Sequence, residues 1–588
     1  MSDVAVALQQ ARTEDLTKQE INKYKCLHDS EIRILNLLEG PGCHLLEGSR
    51  GVGKSMLLRL AEYNLDETIK SNKVLGVYVN FKSSLVLEKD KFKDEKYSFK
   101  MWIMAKILQA FTEKLYSLGI IEGDSTLQPY YELFNIRGIN NLGTALEKKI
   151  TLLQRLALTK DSGERDEIEK EIGINFANTF NDIEYVTKTI RDTSKKLNVN
   201  RVVFLFDEAA HTFVPEQQSI FFNMIKLLHG EEVSVKVAVY PGITNYGGNF
   251  EYGQDAIPIP LERNDLYSQS ARKNNIQFYR ELLQKRLQDS SELAKKFFQR
   301  GEVLDLIICL SNGNPRGFMH IVSKLVQDGE ISNRNAILKS SEYIENELVK
   351  YHKDLKQRLP KITSIIDLGF DVVKNYILSE LQTKNEGKSP EFKKQSVFFT
   401  IETTSPYKIQ RAMDILCYSG LISKVGIVKI AQRKTAPRYS VNLGLAVQNR
   451  IFAETFSRKP MDAITRLSKD DYREFYASDK QFEHLISVHQ DSMAPCSHCG
   501  RPRENIEFTG CPYCLTPYPT NDILPKLMED PIEAISIPNF LFNYLSTSEK
   551  YKIVKDIYTA SLEDLQEINR IGPNRARIIK NIAEEYLS

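Results

Sequence analysis

A glycine-rich segment between a short apolar stretch and a helical stretch constrains the fold of this chain more than any other feature. Residues 43–47 are typical of a buried strand, residues 48–55 follow the pattern Gly-x4-Gly-Lys-Ser, and residues 56–61 are typical of a helix. This spacing lets the backbone wrap around a phosphate, so that successive N–H groups and the helix N-terminus point at its oxygens. The alternative is a glycine-rich surface turn with an unrelated lysine. Lys54 would reach the outer phosphates, and the Ser55 hydroxyl would ligate Mg2+. The predicted nucleotide-phosphate site consists of Gly48, Ser49, Arg50, Gly51, Val52, Gly53, Lys54, Ser55 and Met56.

Paired carboxylates follow a second apolar stretch. Residues 202–206 are five apolar residues without alternation, which is typical of a central parallel strand buried on both faces. Asp207 and Glu208 come directly after it. Beside a phosphate loop, Asp207 would hold the Mg2+ shell and Glu208 would act as the general base that polarises an attacking water. The alternative is a core strand that ends in solvated acids.

Three further strands are predicted, at residues 74–79, 235–240 and 257–261. Five buried strands that alternate with helices predict a parallel α/β sheet. Asn245 lies just past the second of these strands, residues 235–240, at the edge where ligands of open α/β sheets bind. It would either hydrogen-bond the attacking water or the terminal phosphate, or simply form a turn.

Length and charge limit the remaining possibilities. A chain of 588 residues is several times the usual domain size, so several folded units are expected. The 79 Lys and Arg residues oppose 77 Asp and Glu residues, and the net charge of +2 confines any nucleic-acid contact to local patches. The sequence has no apolar window of roughly 18 residues, and its start does not combine a basic stretch with a following apolar stretch. We therefore expect a cytoplasmic protein without membrane contact.

The order of parts over about residues 30–350 resembles the AAA+ ATPases, particularly the origin-recognition or initiator-like group. A helical pattern follows the last predicted strand and breaks at residues 311–317, where Gly313, Asn314, Pro315 and Arg316 match the Gly-x-Pro-Arg element of that group's helical lid. The resemblance implies that Arg316 touches the γ-phosphate, and it implies ATP and Mg2+ as cofactors. Its Walker A positions match Gly48, Gly53, Lys54 and Ser55, its Walker B positions match Asp207 and Glu208, and its sensor-1 position matches Asn245.

The chain departs from that family in two places. Far more residues than a compact core needs lie between the second strand and Asp207, and residues 142–198 are typical of charged helices with one apolar stripe. Either solvated helical decoration or a partner-binding arm fits this pattern. Arg263 is one candidate for an arginine finger toward a neighbouring subunit, so an ATP-dependent homo-oligomer stays open.

The region around residue 410 is similar to a winged helix, a module that the same ATPases carry after the lid. A helix with Pro406 in its first turn is followed by strands at residues 424–430 and 438–441 that a polar turn joins. The outward face of the helix and the wing would contact DNA phosphates. Winged helices also serve as protein-interaction modules. The candidate DNA-contacting residues here are Lys408, Arg411, Arg433, Lys434 and Arg438.

Four of the eight cysteines form two Cys-x2-Cys pairs, Cys496 with Cys499 and Cys511 with Cys514. Each pair forms a tight turn that presents two thiolates, and four thiolates complete a closed tetrahedral Zn2+ site. Metal then replaces the core that so short a segment cannot build, as in a zinc ribbon. Two disulfides are the alternative, which a cytosolic location disfavours. The ribbon would contact either nucleic acid or protein.

The last segment resembles a helix-hairpin-helix motif, in which a glycine-containing turn aims backbone N–H groups at one DNA phosphate. Gly572 and Ala576 match the motif's second glycine and its small packing position, and Arg570 replaces the first glycine. Arg570, Arg575 and Arg577 are the candidate phosphate partners. Single motifs of this type also serve as plain packing or dimer elements.

We therefore expect a multidomain chain with an α/β P-loop AAA+ core and all-α and winged-helix modules after it. The expected boundaries are a core at residues 1–270 with a helical insertion at about 85–200, a helical lid at 271–360, a winged helix at 361–460, a linker at 461–490, a zinc ribbon at 491–525 and a helix-hairpin-helix at 526–588.

The predicted function is an ATP-hydrolysing AAA+ switch that engages DNA or a DNA-bound partner, including a separately encoded effector protein. Replication initiation, mobile-element control and phage defence all fit this build. Two alternatives stay open: a STAND-type signalling ATPase that recognises a protein ligand without DNA, and an assembly scaffold that uses ATP as a structural clamp.

Overall fold

The computed structural model of the protein divides into two compact units. The first comprises Met1–Leu266, Ser270–Ile308 and Gly313–Ala336, and the second comprises Tyr267–Gln269, Cys309–Asn312 and Ile337–Ser588. The structure describes residues 13–587 except for 14–15, 82–98, 122–141, 159–161, 174–181, 209–214, 264, 288–290, 359–361, 387–394, 404, 432–433, 453–459, 468–474, 477–478, 489–498, 500, 502–510, 512, 515, 517–527, 536, 538 and 549. Among these described residues, no helix combines the length and hydropathy needed to cross a membrane.

A five-stranded parallel sheet organises the first unit, which confirms the predicted parallel α/β core. The strand order is β2-β3-β4-β1-β5. Because all strands run in one direction, the loop after β1, the acids after β3 and the turn after β4 lie along the same edge of the sheet. The strands are β1 (Cys43–Glu47), β2 (Val74–Asn80), β3 (Arg201–Asp207), β4 (Val233–Val239) and β5 (Ile257–Pro260).

Helices cover both faces of this sheet. Along β3, Val202 and Phe204 belong to one apolar cluster, and Val203 and Leu205 belong to the other. Burial on both faces explains why the strand shows no alternation in its sequence. The helices of this unit are α1 (Lys18–Tyr24), α2 (Asp29–Glu39), α3 (Lys54–Asn72), α4 (Phe99–Ser117), α5 (Leu142–Leu158), α6 (Ser162–Ile172), α7 (Ile183–Lys196), α8 (Pro215–Leu228), α9 (Gln269–Arg286), α10 (Ser291–Gln299), α11 (Gly301–Leu310) and α12 (Pro315–Asp328).

The apolar stripe of the insertion is part of the main core. Leu146, Ile150 and Leu153 of α5 are buried in the same cluster as Trp102 of α4 and Phe204 of β3. Helix α5 packs directly against α4. The described part of the insertion therefore adds a helical layer to the sheet, because its stripe is covered by the unit's own residues.

The second unit continues with helices and then a small mixed sheet of order β7-β8-β6-β9. Two helices occupy the region that we expected to be a linker. The elements are α13 (Asn333–Tyr343), which begins in the first unit, π-helical Ile344–Val349, α14 (Lys350–Arg358), α15 (Thr363–Asp371), π-helical Val372–Ile377, α16 (Leu378–Glu386), β6 (Phe398–Thr400), α17 (Tyr407–Ser419), β7 (Ile422–Ala431), β8 (Lys434–Val441), α18 (Leu443–Gln448), α19 (Pro460–Thr465), β9 (Phe475–Tyr476), α20 (Asp479–Val488), a 3-10 turn (Ile532–Ala534), α21 (Asn539–Leu545), α22 (Val554–Thr559), α23 (Leu562–Gln566) and α24 (Pro573–Leu587).

The C-terminal helices α21 to α24 build an apolar core of their own. Its buried members include Leu541, Val554, Leu565, Ile579 and Ala583. Helix α24 also packs against α17 of the mixed-sheet region. The last segment is thus a small folded body within the second unit.

Candidate functional site

The glycine-rich loop between β1 and α3 uses glycine where no other residue fits well. Gly53 caps α3 with a φ of 107°, and Gly51 has a φ of 87°. Only glycine adopts such left-handed backbone without strain. At Gly48, a Cβ atom would lie 2.6 Å from the carbonyl oxygen of Leu261. The sequence pattern is therefore matched by a real constraint at each of the three positions.

Lys54 is buried and folds back onto its own loop. Its Nζ donates hydrogen bonds to the carbonyl oxygens of Gly48 at 2.6 Å and Ser49 at 3.0 Å. The same Nζ lies 3.9 Å from the centroid of the Tyr240 ring, just after β4. These contacts hold the ammonium at the carboxyl edge of the sheet.

Four charged side chains act on that ammonium. Burial lowers the pKa of Lys54, the negative charges of Glu262 and Asp207 raise it, and the positive charges of Arg316 and Arg50 lower it. Coulombic effects of this kind require short distances. Lys54, Asp207 and Arg316, which come from three separate stretches of sequence, therefore lie near enough for their charges to interact.

The turn before α12 contacts the phosphate loop directly. Asn314 caps this helix by accepting a hydrogen bond from the backbone N–H of Gly317 at 3.1 Å, and its Nδ2 donates to the carbonyl oxygen of Arg50 at 2.7 Å. A Cβ atom on Gly51 would lie 2.8 Å from Cβ of Arg316 and 2.8 Å from Oδ1 of Asn314. The arginine of the predicted lid element thus lies against the loop that it was expected to approach.

Asp207 is buried, and both of its carboxylate oxygens accept hydrogen bonds. The Tyr78 hydroxyl donates to Oδ2 at 2.8 Å, and the Glu208 backbone N–H donates to Oδ1 at 3.0 Å. Glu208 has a φ of 59°, a left-handed conformation that few non-glycine residues adopt. Such conformations concentrate at functional sites. The carboxylate therefore has a defined orientation at the end of β3.

Asn245 is exposed in the turn after β4. Its Oδ1 accepts a hydrogen bond from the Gly247 backbone N–H at 2.8 Å, and its own backbone N–H donates to Oε1 of Gln218 at 2.6 Å. An asparagine that bonds the backbone two residues on is a turn former. This geometry favours the turn interpretation, and the sensor-1 role stays a prediction.

Two residues at this edge were not singled out by the sequence reasoning. Glu262, after β5, accepts hydrogen bonds from the Ser49 backbone N–H at 2.5 Å and from its hydroxyl at 3.3 Å. Tyr78 lies on β2, and nothing in the sequence distinguishes it from an ordinary strand residue. Asn314 was named only as part of the lid turn, although an Asn before Pro315 is a recognisable helix start.

Arg263, the candidate arginine finger, contacts residues of its own chain. It forms an ion pair with Glu31, its side chain is 11% exposed, and its guanidinium carbon lies 3.5 Å from the centroid of the Phe278 ring. These contacts give Arg263 an internal packing role.

Three of the four predicted zinc ligands are described, and they lie together. Ligand atoms of Cys499, Cys511 and Cys514 are all within 4.8 Å of one another, and the sulfur atoms of Cys499 and Cys511 are 3.6 Å apart. The backbone N–H groups of Tyr513 and Cys514 donate to the Cys511 sulfur. Such a thiol set suits Zn2+. The fourth predicted ligand, Cys496, lies outside the described residues.

The helix predicted around residue 410 is observed as α17, and the two strands predicted after it are observed as the hairpin of β7 and β8, while their roles as recognition helix and wing stay predictions. Lys408 and Arg411 are half-buried on α17. Arg438 lies on β8, with its guanidinium carbon 5.8 Å from the centroid of the Phe398 ring. Lys434 begins β8, and Arg433 lies outside the described residues.

The turn before α24 has a left-handed residue at the position where the helix-hairpin-helix family has its first glycine. Arg570 takes this conformation with a φ of 70°, and its carbonyl oxygen accepts a hydrogen bond from Arg575 at 2.7 Å. Arg570, Gly572 and Arg575 are exposed. Arg577 instead forms an ion pair with Glu483 of α20 at 2.9 Å. Its position favours a packing role over phosphate contact.

The parallel sheet and the glycine-rich loop with its buried lysine define a P-loop nucleotide-binding protein with a core of the AAA+ type. The sequence matches the family described as ORC-CDC6-like over residues 7–305, just over half of the chain. The chain belongs to the ORC-CDC6-like family.

Several solved structures are similar to this chain, and comparison with curated proteins gave no match. A Walker-type ATPase of Pyrococcus abyssi is 14% identical with a TM-score of 0.36, over 76% of this chain and 99% of that one. The ORC1 protein of Aeropyrum pernix in complex with DNA is 13% identical with a TM-score of 0.32, over 78% and 97%. The ORC2 protein of Aeropyrum pernix, in ADPNP and ADP complexes, is 10% identical with a TM-score of 0.29, over 82% and 97%.

Proposed function

We propose that this protein is an ATP-binding and ATP-hydrolysing molecular switch that engages DNA through its C-terminal modules. The observation that supports ATP chemistry most is that Asn314 and Arg316 pack directly on the glycine-rich loop to which the buried Lys54 ammonium is hydrogen-bonded. A lysine, an arginine and a carboxylate at the carboxyl edge of a parallel sheet, beside a glycine-rich loop, are the groups that phosphoryl transfer requires.

Each of these groups has a defined part in transfer of the γ-phosphoryl group to water. Lys54 and Arg316 stabilise the negative charge on the phosphoryl oxygens. Ser55 and Asp207 would hold Mg2+, which would supply positive charge that neutralises the phosphates. Glu208 accepts a proton from the attacking water. Because Arg316 lies in the first turn of α12, gain or loss of the γ-phosphate changes what the start of that helix contacts.

Substitution of Lys54 tests the assignment. Lys54→Ala should weaken ATP binding at least about 100-fold in isothermal titration calorimetry, because it removes a charge that pairs with phosphate inside a buried site. Glu208→Gln should keep ATP affinity and lose turnover. Lys236→Met is the matched control, since Lys236 is a second fully buried lysine whose ammonium bonds the carbonyl oxygens of Pro41 and Gly42. Unchanged ATP affinity in Lys54→Ala would overturn the proposal.

Contact with DNA is proposed from the second unit. Arg570 and Arg575 are exposed beside Gly572, at a turn whose backbone can approach a phosphate. Lys408, Arg411, Lys434 and Arg438 would add phosphate contacts from the winged-helix region, and the cysteine cluster would bind Zn2+ as a structural ribbon. Such binding would be dominated by phosphate rather than by base readout.

A salt series tests this second part. The affinity of the full chain for a duplex and for a single strand should fall steeply as salt rises, because each neutralised phosphate releases a counterion. ATP turnover should be measured in the same samples. Affinity that is absent, or that does not change with salt, would overturn DNA engagement and favour recognition of a protein ligand.

A further inference from the structure

A second group of metal-ligating side chains lies in the first unit, formed by residues outside the glycine-rich loop. Cys26 and His28 lie two residues apart in the stretch between α1 and α2, and Glu281 lies on α9. One ligand atom from each lies within 4.8 Å of the others. Two segments separated by more than 250 residues thus bring a thiol, an imidazole and a carboxylate to one point.

Both carboxylate oxygens of Glu281 accept hydrogen bonds, and the one that faces His28 would bind a metal in place of that bond. Nε2 of His28 lies 3.0 Å from Oε2 of Glu281, and the Lys285 ammonium lies 2.7 Å from the other oxygen, Oε1. Lys285 also donates to the carbonyl oxygen of Lys25 at 2.6 Å. Lys285 therefore orients Glu281 from the side opposite His28, as outer partners of metal-ligating carboxylates do.

The Cys26 side chain completes the third corner. Its sulfur is buried, and its thiol donates to the Phe278 carbonyl oxygen with a separation of 3.6 Å. His28 packs edge-on against the Phe278 ring, with 5.6 Å between ring centroids. Apolar packing on one side and partly exposed His28 and Glu281 on the other give the cluster one protected face and one face open to water.

We propose that Cys26, His28 and Glu281 form a Zn2+ site in which water takes the fourth position. Ligands about 2.0–2.3 Å from a tetrahedral zinc stand roughly 3.3–3.8 Å apart, so the observed cluster needs only small side-chain movements to close on the ion. A thiolate and a carboxylate together balance the charge of the ion. A sulfur ligand with an imidazole selects zinc over Mg2+ or Ca2+, which prefer oxygen ligands alone.

This site would link helix α9 with the segment that precedes α2. Helix α2 leads into β1 and the phosphate loop, whereas α9 follows β5. A metal that binds only the folded arrangement stabilises it in proportion to its concentration. Zinc would therefore strengthen the first unit at the place where these two segments meet.

Zinc binding should be measured on the full chain in which the predicted ribbon is disabled by Cys511→Ser and Cys514→Ser. After equilibration with micromolar zinc and gel filtration, we expect one zinc per chain by elemental analysis. Adding Cys26→Ser should remove it, and Cys417→Ser is the matched control, because Cys417 is another cysteine of the described chain that lies outside the cluster. Co2+ in place of zinc should show a thiolate charge-transfer band that only Cys26→Ser abolishes.

A second variant, which removes the His28 imidazole and should keep the fold, separates loss of zinc binding from misfolding. His28→Gln changes a partly exposed residue, and it should weaken zinc binding at least about tenfold while the circular dichroism spectrum is unchanged. The thermal midpoint of the ribbon-disabled chain should rise with zinc, and this rise should vanish in His28→Gln. A ribbon-disabled chain that binds no zinc, or that keeps zinc after Cys26→Ser, would show that Glu281 only accepts hydrogen bonds here and would overturn the proposal.

Discussion

The Tyr78 hydroxyl donates a hydrogen bond to Oδ2 of Asp207, with 2.8 Å between the two oxygens. This contact begins a chain of polar contacts that leads away from the proposed magnesium site. The guanidinium carbon of Arg59 lies 4.6 Å from the centroid of the Tyr78 ring, Arg59 pairs with Glu62 at 2.6 Å, and Glu62 pairs with Lys114 of α4 at 2.6 Å. Because these groups are largely buried, each one restricts the position of the next.

Removal of the Tyr78 hydroxyl should disturb magnesium handling more than ATP affinity. In Tyr78→Phe the Asp207 carboxylate loses the donor that orients its Oδ2. A hydrogen bond to a charged group contributes about 1.5–3 kcal/mol. We expect kcat to fall about tenfold and the Mg2+ concentration for half-maximal turnover to rise. Tyr63→Phe is the control, since the Tyr63 hydroxyl also contacts Arg59, at 2.8 Å. Equal effects of the two variants would contradict a specific role for Tyr78.

The double contact of Asn314 predicts a difference between two substitutions. Asn314→Ala loses both the cap of α12 and the hydrogen bond to Arg50, whereas Asn314→Ser keeps a capping hydroxyl and loses only the bond to Arg50. Loss of the cap should lower the free energy of unfolding by about 1 kcal/mol in the alanine variant alone. Both variants should weaken ATP binding if the contact between turn and loop supports the nucleotide site. Wild-type affinity in both would show that the contact is only structural.

Acid should destabilise the first unit through His44 of β1. Burial and the positive charge of Lys236, whose Nζ lies 2.8 Å from Nδ1 of His44, lower the pKa of His44 from 6.5 to about 4. Between these values the unfolded chain binds a proton that the folded chain does not, so the free energy of unfolding falls as pH falls from about 6.5 to 4, by up to about 3 kcal/mol. Hydrogen exchange of β1 amides measured across this range reports the loss.

The control for this pH dependence substitutes one histidine at a time. His44→Asn should flatten the fall of stability in acid, whereas His484→Asn, at an exposed position in the second unit, should leave it unchanged. His229 has a pKa that burial lowers in the same direction, so some slope remains in His44→Asn. A slope that is identical in all three proteins would rule out His44 as its source.

The arginines near the C-terminus should differ in their effect on DNA affinity. Arg575→Ala should weaken binding and reduce the salt slope by roughly one, as expected for one lost phosphate contact. Arg570→Gly removes a charge but relaxes the left-handed backbone, so it should weaken DNA binding without loss of stability. Arg577→Ala should lower stability by breaking the ion pair with Glu483, with little direct effect on DNA. A larger DNA effect for Arg577 than for Arg575 would contradict this assignment.

Features encoded in consecutive residues were predictable. The strands of the parallel sheet, the glycine-rich loop and the acids after β3 follow from apolar runs and short spacings, which act locally and leave little freedom. The helices within the expected linker were not predicted, because short amphipathic segments of this kind depend on packing against the rest of the unit.

The insertion shows how an alternative is decided by packing. Its leucine stripe is equally compatible with a solvated helix, a partner-binding arm or a core helix, because all three require one apolar face. The structure places Leu146 and Leu153 in the main cluster with Trp102. No residue pattern within α5 identifies the surface that covers its apolar stripe.

The sequence by itself determined that this chain has a phosphate loop on a parallel sheet, since strand, glycine spacing and helix are all written within about 20 neighbouring residues. Only the tertiary structure decided that Tyr78 orients Asp207, that Asn314 bonds the loop, and that Cys26 and His28 meet Glu281. The physical reason is that these contacts join residues far apart in the chain, 253 positions apart for His28 and Glu281. Their proximity depends on how the whole unit packs, which no local pattern records.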